Sequence, residues 1–406
     1  MGSLEAQNGG GREVTAMADF GDGLAAGADL VGAAESAVGE ALEPLAGRRP
    51  DLLCVFVSGD DQHAVDEAGR TAMKLADAPI ALGCCAPGVI GADHGVEGRN
   101  AVAAFAAVLP GVRIRPFHVQ ARRFGDAALL SGLPDRDADD AVAVLLADPA
   151  GFPIGAFVEH CNDALRLPLV GGLASGPGGG HLFLDGRVVD GAVGVVLGRL
   201  DDAGVAARTM VSQGCRPIGP AMTVTKAEQN VLFEVAGVPA YQKLEEIVAA
   251  LPPDEQLLVM RGLHLGVAIN EYAETHERGD FLIRGVLGGD ERVGALVVGD
   301  VVDVGTTVRF QVRDPASADE DLAALLSTLD ASPGDGALLF SCTGRGRAMF
   351  PNADHDIAAV RRMLHPQAVA GFFAAGEIGP VVGRNHVHGF TASLLVIGRR
   401  ACQTNA

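Results

Sequence analysis

Apolar residues fall in short unbroken or alternating runs, bounded by glycine and proline, with stretches of helical spacing between them. Residues 51–58 (DLLCVFVS) predict a strand. Val65, Ala68, Ala72 and Leu75 then mark a helix, and Pro79 opens a second strand-like run, PIALGCCAPGVIG. Apolar runs at 101–109 and 112–119 follow, broken by Pro110-Gly111, which predicts a hairpin turn. The order then recurs. Residues 141–147 predict a strand, and Ile154, Phe157, Val158, Cys161 and Leu165 mark a helix. Pro168 opens PLVGGLASGPGGG, and runs at 181–184 and 191–197 flank Asp185-Gly186.

The two prolines are 168 − 79 = 89 residues apart, and Gly83 and Gly172 keep that offset, 172 − 83 = 89. A tandem β-α-β-β-β duplication is the expectation. In the second half, 223–225 and 231–234 predict a strand pair, and 241–251 a helix ending at Pro252-Pro253. Runs at 263–269, 281–287 and 307–312 predict further strands. A last β-α-β-β unit is expected from 336–342, a helix through Ile357, Val360 and Leu364, then 369–375 and 390–397. The fold class expected is α/β (mixed α+β): two α/β sandwich domains with mixed sheets.

Composition narrows the function classes. Length predicts two to three domains, and 48% hydrophobic residues supply a large core. The formal charge of −20, with 51 acidic against 31 basic residues, opposes nucleic acid and anionic membranes as partners. With no tryptophan and two tyrosines, stacking platforms for single strands are scarce. No apolar run reaches a bilayer's thickness, and the N-terminal residues lack a signal-peptide core. Met17 serves as well as Met1 for a translation start. Seven scattered cysteines without secretion signals point to reduced thiols and a cytoplasmic location.

Three glycine-rich loops follow apolar strands: 83–91, 172–180 and 341–347 (SCTGRGR). Ligands of α/β sheets bind where loops leave the carboxyl ends of strands. Gly344 and Gly346 would expose backbone N–H groups there, and Arg345 or Arg347 would grip a carboxylate or phosphate. The loop is neither a P-loop nor GxGxxG. A second cluster, 376–390 (GEIGPVVGRNHVHGF), places Glu377 directly after an apolar strand, where it needs a partner such as Arg384 or Arg345. Asn385 and His388 complete the candidate binding set of Cys342, Gly344, Arg345, Gly346, Arg347, Glu377, Arg384, Asn385 and His388. An ion pair holding the fold, or a solvated turn, is the competing explanation.

Cys342 with His388, oriented by Glu377, is the catalytic alternative: a thiol- or carboxylate-dependent enzyme. His386 and His388 share a strand face, but neither CxxC nor HExxH accompanies them, so no metal site and no cofactor are expected.

The chain resembles the FIST family, the F-box and intracellular signal transduction proteins, with both its N-terminal and C-terminal modules. The matching stretches are PIALGCCAPGVIG, GCRPIGPAMTVT, FLIRGVLGGDERVGALVVGDVVDVGTTVRFQVRD, GALLFSCTGRG and VAGFFAAGEIGPVVGRNHVHGFTASLLVIG. The resemblance implies a sensory module that binds a small ligand, an amino acid or a derivative. No output segment accompanies it, so a signalling protein would act as a separate partner. It implies no catalytic residues. The expected division is a disordered segment 1–19, an N-terminal FIST domain 20–214, a C-terminal FIST domain 215–400 and a tail 401–406. A ligand-free interaction scaffold is the remaining alternative.

Overall fold

A computed structural model describes residues 17–400 except 125, 126 and 274, so the tail and most of segment 1–19 lie outside the described residues. The fold is mixed α/β with mixed sheets, as the sequence predicts.

Three units of one plan build most of it. The first unit has a first strand Asp19–Ala26, a second Leu52–Ser58, a third Ile80–Cys85, a hairpin Gly88–Gly91/His94–Glu97 and a last strand Ala101–Val108. In the second unit the same parts are Arg113–Phe124, Asp140–Ala147, Leu169–Leu173, Leu182–Leu184/Arg187–Val189 and Ala192–Gly198. In the third they are Val205–Gln213, Gly336–Cys342, Ala368–Ala374, Glu377–Val381/Arg384–His388 and Thr391–Arg399. Helices Gln62–Ala76, Ile154–Ala164 and His355–Leu364 cross between second and third strands, which are therefore parallel neighbours. Asp61 starts the first of these helices, its side chain accepting from the Ala64 N–H.

Each sheet runs first–last–second–third and is then extended by the hairpin of a different unit. Hairpin 88–97 joins the third unit's sheet, 182–189 the first unit's and 377–388 the second unit's. The exchange is cyclic and in register. Gly83 faces Val55 and Phe183, Gly171 faces Leu145 and Ile378, and Gly371 faces Leu339 and Ile90. A Cβ on any of these three glycines would collide with the carbonyl oxygen of Val55, Leu145 or Leu339. The inner faces of all three sheets meet in one apolar core containing Phe56, Leu146 and Phe340, which are equivalent in register. Outer faces pack under the helices, Leu30–Leu42 and Gln62–Ala76 covering the first sheet.

Two expectations need correction. Strand pairing matches Gly83 to Gly171, so the repeat offset is one residue shorter than the spacing of Gly83 and Gly172 suggests. Pro110-Gly111 is no hairpin turn: Ala101–Val108 and Arg113–Phe124 belong to different sheets, and the apolar runs look alike because each is a buried strand.

Between the third unit's first strand and helix Pro315–Thr328 lies a second body. Strands Met222–Glu228, Val231–Val235, Ala295–Val298, Phe281–Asp290, Leu263–Ala268 and Thr307–Arg313 pair antiparallel in that order. Thr307–Arg313 also pairs with Met222–Glu228, closing a six-stranded barrel around Val224, Leu265, Val298 and Phe310. Helix Ala240–Ala250 packs on it through Ile247.

Candidate functional site

Strand Gly336–Cys342 is buried at every position, and alternation decides where its last side chains go. Phe340 joins the central core, while the Ser341 hydroxyl donates to Asp356 Oδ2 at 2.6 Å. The chain then turns sharply, the Arg345 N–H donating to the Cys342 carbonyl at 2.8 Å, and sends the Arg345 side chain inward. That guanidinium has no exposed surface. Its Nε and Nη2 donate to Asp356 Oδ2 and Oδ1, both at 2.8 Å, a bidentate pair. His355 Nδ1 lies 2.9 Å from Asp356 Oδ1. Burial alone would raise the Asp356 pKa, but Arg345 and these hydrogen bonds outweigh it and hold the carboxyl well below its ordinary range. Burial likewise opposes the charge on Arg345, and Asp356 more than restores it. Arg345 therefore spends its fork inside the protein. Only Nη1 lacks a partner, and it points at Gly214, 3.1 Å from where a Cβ there would sit.

Glu377 is fully buried too. The expected partners Arg345 and Arg384 do not form its ion pair. Its Oε2 accepts from the Thr391 N–H at 3.0 Å and the Thr391 hydroxyl at 2.8 Å, while Oε1 has no nitrogen or oxygen partner. Burial pushes its pKa up to about 8, with Thr391, the Cys342 thiol and the Arg345 charge each pulling back. Cys342 lies beside it. Burial and then the Glu377 charge push that thiol far up, against N–H groups of Gly344 and Phe390.

The threefold plan shows that architecture does not require this carboxyl. Glu377 pairs with Gly172 where Leu182 pairs with Cys84 and Val89 with Phe372. Leu182 and Val89 are fully buried members of the central core. A glutamate thus occupies a position that two apolar side chains fill elsewhere in the same molecule.

Cys342, Gly344, Arg345 and Glu377 come together, and His388 is the cross-strand partner of Glu377; Gly346, Arg347, Arg384 and Asn385 turn to other partners. The Arg347 side chain is exposed, and its backbone N–H donates to Glu97 Oε2 at 2.8 Å. Gly346 packs under the same Glu97 carboxylate. Arg384 is exposed and pairs with Glu159. Asn385 is buried, bonded to Asn162, to the Leu169 N–H at 2.8 Å and to the Leu167 carbonyl at 3.0 Å, so it ties its hairpin to the second unit. His388 Nε2 lies 2.9 Å from the Gly379 carbonyl, and burial pushes its pKa down to about 3. A thiol with a raised pKa and a neutral histidine engaged elsewhere supply no activated nucleophile. Among the described residues no three His, Cys, Asp or Glu side chains gather as metal ligands, and six cysteines are free; Cys402 lies outside the described residues.

Sequence reasoning missed Asp356, Thr391 and Gly214. Asp356 stands in the first turn of the helix after SCTGRGR, the one available signal. The residues over the centre were missed as well. Phe390 lies across Gly344, in T-shaped contact with His264 (centroids 4.1 Å) and 5.6 Å from the Arg313 guanidinium, both from the barrel. The centre therefore sits where the barrel meets the third unit. Open clefts lie outside this centre: one of about 190 Å³ is bordered by Glu97, Arg347 and Asp354, one of about 540 Å³ by Asp139, Arg199 and Ala206, and others lie in the second unit. Two, of about 390 and 520 Å³, share Gln120, Asp148 and Asp190, and the larger is bordered by Gly178–Gly180.

The sequence matches the FIST N domain over residues 51–238 and the FIST C domain over 240–380. An uncharacterized protein of Mycobacterium tuberculosis (strain ATCC 25618 / H37Rv), Rv0628c, is 43% identical over 385 residues, 92% of this chain and 98% of the relative. Another, Mb0898c of Mycobacterium bovis (strain ATCC BAA-935 / AF2122/97), is 41% identical over 384 residues, 92% and 97% of the two chains. No helix among the described residues is long and apolar enough to cross a membrane.

Proposed function

Because the chain belongs to the FIST family, sensory domains of signal transduction, we propose that it senses a small zwitterion, an amino acid or derivative, at the Arg345–Glu377 centre. The observation that carries this is the pair of fully buried polar atoms without a nitrogen or oxygen partner, Arg345 Nη1 and Glu377 Oε1. They belong to groups of opposite charge, close enough for each to shift the other's pKa. An unpaired Arg345 Nη1 costs roughly 1–3 kcal/mol, and the Glu377 carboxyl has, besides Thr391, the weak thiol donor of Cys342. A ligand carboxylate on Nη1 and an ammonium on Oε1 recover that cost; the ammonium charge favours the Glu377 carboxylate, whose proton is released to solvent. Signalling then passes to a separate protein.

The test is a thermal-shift and calorimetric screen of amino acids and derivatives against the wild type and Glu377→Gln. A hit lost in the variant supports the assignment. A second reading rests on the open clefts around Asp148, which is equivalent in register to Cys342. A hit retained by Glu377→Gln but lost on Asp148→Ala moves the site there.

A further inference from the structure

We infer that Phe390 is the gate of this centre: its ring and its strained backbone close the approach to Cys342, Arg345 and Glu377, and its anchors on the barrel report whether it is shut. The inference rests on the sensory reading above and concerns how that same site is reached.

Two contacts and a chain neighbour place Phe390 against the centre. Its carbonyl accepts from the Gly214 N–H at 2.8 Å, beside the residue that Arg345 Nη1 faces. The next residue, Thr391, holds Glu377. The ring covers Gly344 so closely that a Cβ there would lie 2.6 Å from it. A side chain at 344 would push the ring away, so glycine is what permits the closed position.

The backbone is strained. Phe390 has φ +61°, in the left-handed region, and it is the one phenylalanine with positive φ among the described residues. In register Phe390 matches Asn100 and Asp190 of the other two units, neither with positive φ; in those turns positive φ falls on the nearby glycines Gly98 and Gly191. The third unit keeps a bulky ring in a conformation that glycine adopts without strain. Outside, the ring is held by His264 and Arg313 and borders a small apolar cluster of Cys215, Ala268, Phe281 and Ile283 at the foot of the barrel. Opening must break these contacts, so ligand entry and the barrel's seating on the third unit are linked through one side chain.

Cys342 reports the gate without any ligand. The intact protein is alkylated with iodoacetamide under native conditions, and each cysteine is followed by peptide mass mapping. Cys54 and Cys84, inside the central core, report general loosening. Phe390→Ala is expected to speed labelling of Cys342 at least about tenfold while Cys54 and Cys84 keep the wild-type rate; that factor corresponds to about 1.4 kcal/mol of easier opening. Phe390→Leu, which keeps bulk over Gly344, is expected to stay within about threefold of wild type. Unchanged labelling in Phe390→Ala overturns the gate, and so does a rise shared equally by all three cysteines. Because no amino acid enters the experiment, a failed ligand screen leaves this result standing, and a failed gate leaves the screen standing.

Discussion

Replacing Glu377 by glutamine removes a titrating proton from a buried site while keeping the side chain's size. The wild-type carboxyl has a folded pKa raised from 4.5 to about 8, chiefly by burial. An acid whose folded pKa is raised contributes stability that is fully present below its unfolded pKa and is lost as pH rises through the folded one. Between pH 4.5 and 8 this site therefore removes about 1.4 kcal/mol per pH unit, or roughly 3 kcal/mol by pH 7. Glutamine contributes no such slope. Its oxygen can accept from Thr391 as the carboxyl does, while its amide leaves new donors beside the Cys342 sulfur, costing roughly 1–3 kcal/mol at every pH. Only the slope is diagnostic, and other titrating groups cancel in the comparison. Urea unfolding of both proteins at pH 5, 6, 7 and 8 measures it. The wild-type advantage should shrink steadily across the series and reverse near neutrality. Parallel stability curves would refute the assignment of a neutral, buried acid.

Removing Arg345 by Arg345→Ala strands Asp356 in the interior and should cost about 3–5 kcal/mol in urea unfolding, most of it recovered in the Arg345→Met/Asp356→Leu double variant. Gly371→Ala drives a methyl group into the Leu339 carbonyl and should destabilise on the order of 3 kcal/mol, seen as a lowered urea midpoint. Residues 17–213 expressed alone lose the 377–388 hairpin from the second sheet and the partner of their own 88–97 hairpin. They should keep far-ultraviolet dichroism but unfold in urea without a cooperative transition; a sharp, cooperative transition would contradict the exchange. For an amino-acid ligand, affinity should rise about tenfold per pH unit up to about pH 8, because binding must expel the Glu377 proton; a flat calorimetric profile would count against it.

Strands were legible wherever apolar runs ended at glycine or proline, and two of the three repeats were legible as repeats. The last β-α-β-β unit was legible, but not as a third copy, because the barrel, residues 215–313, separates its first strand from the others. Hairpin exchange leaves no local trace, since a strand's sequence does not name its partner, and this misplaced the turn at Pro110-Gly111. At the site, the approach of the two loops was legible, and Arg345 and Glu377 stood out as charges set against apolar strands. Their pairing was not. Asp356 reaches Arg345 from the helix N-terminus eleven positions on (356 − 345 = 11), a spacing set by tertiary packing rather than by any helical or strand period. Arg384 and Asn385 misled because the hairpin that carries them leaves its own unit and docks on Glu159 and Asn162 of the second.

The central claim is that the Arg345–Glu377 centre holds a small zwitterion. Isothermal titration of the best amino acid from the screen into the wild type and Glu377→Gln, at pH 8, tests it most directly. The account predicts one site per chain and at least a tenfold weaker Kd in the variant, about 1.4 kcal/mol. Equal affinity in the two proteins would contradict it.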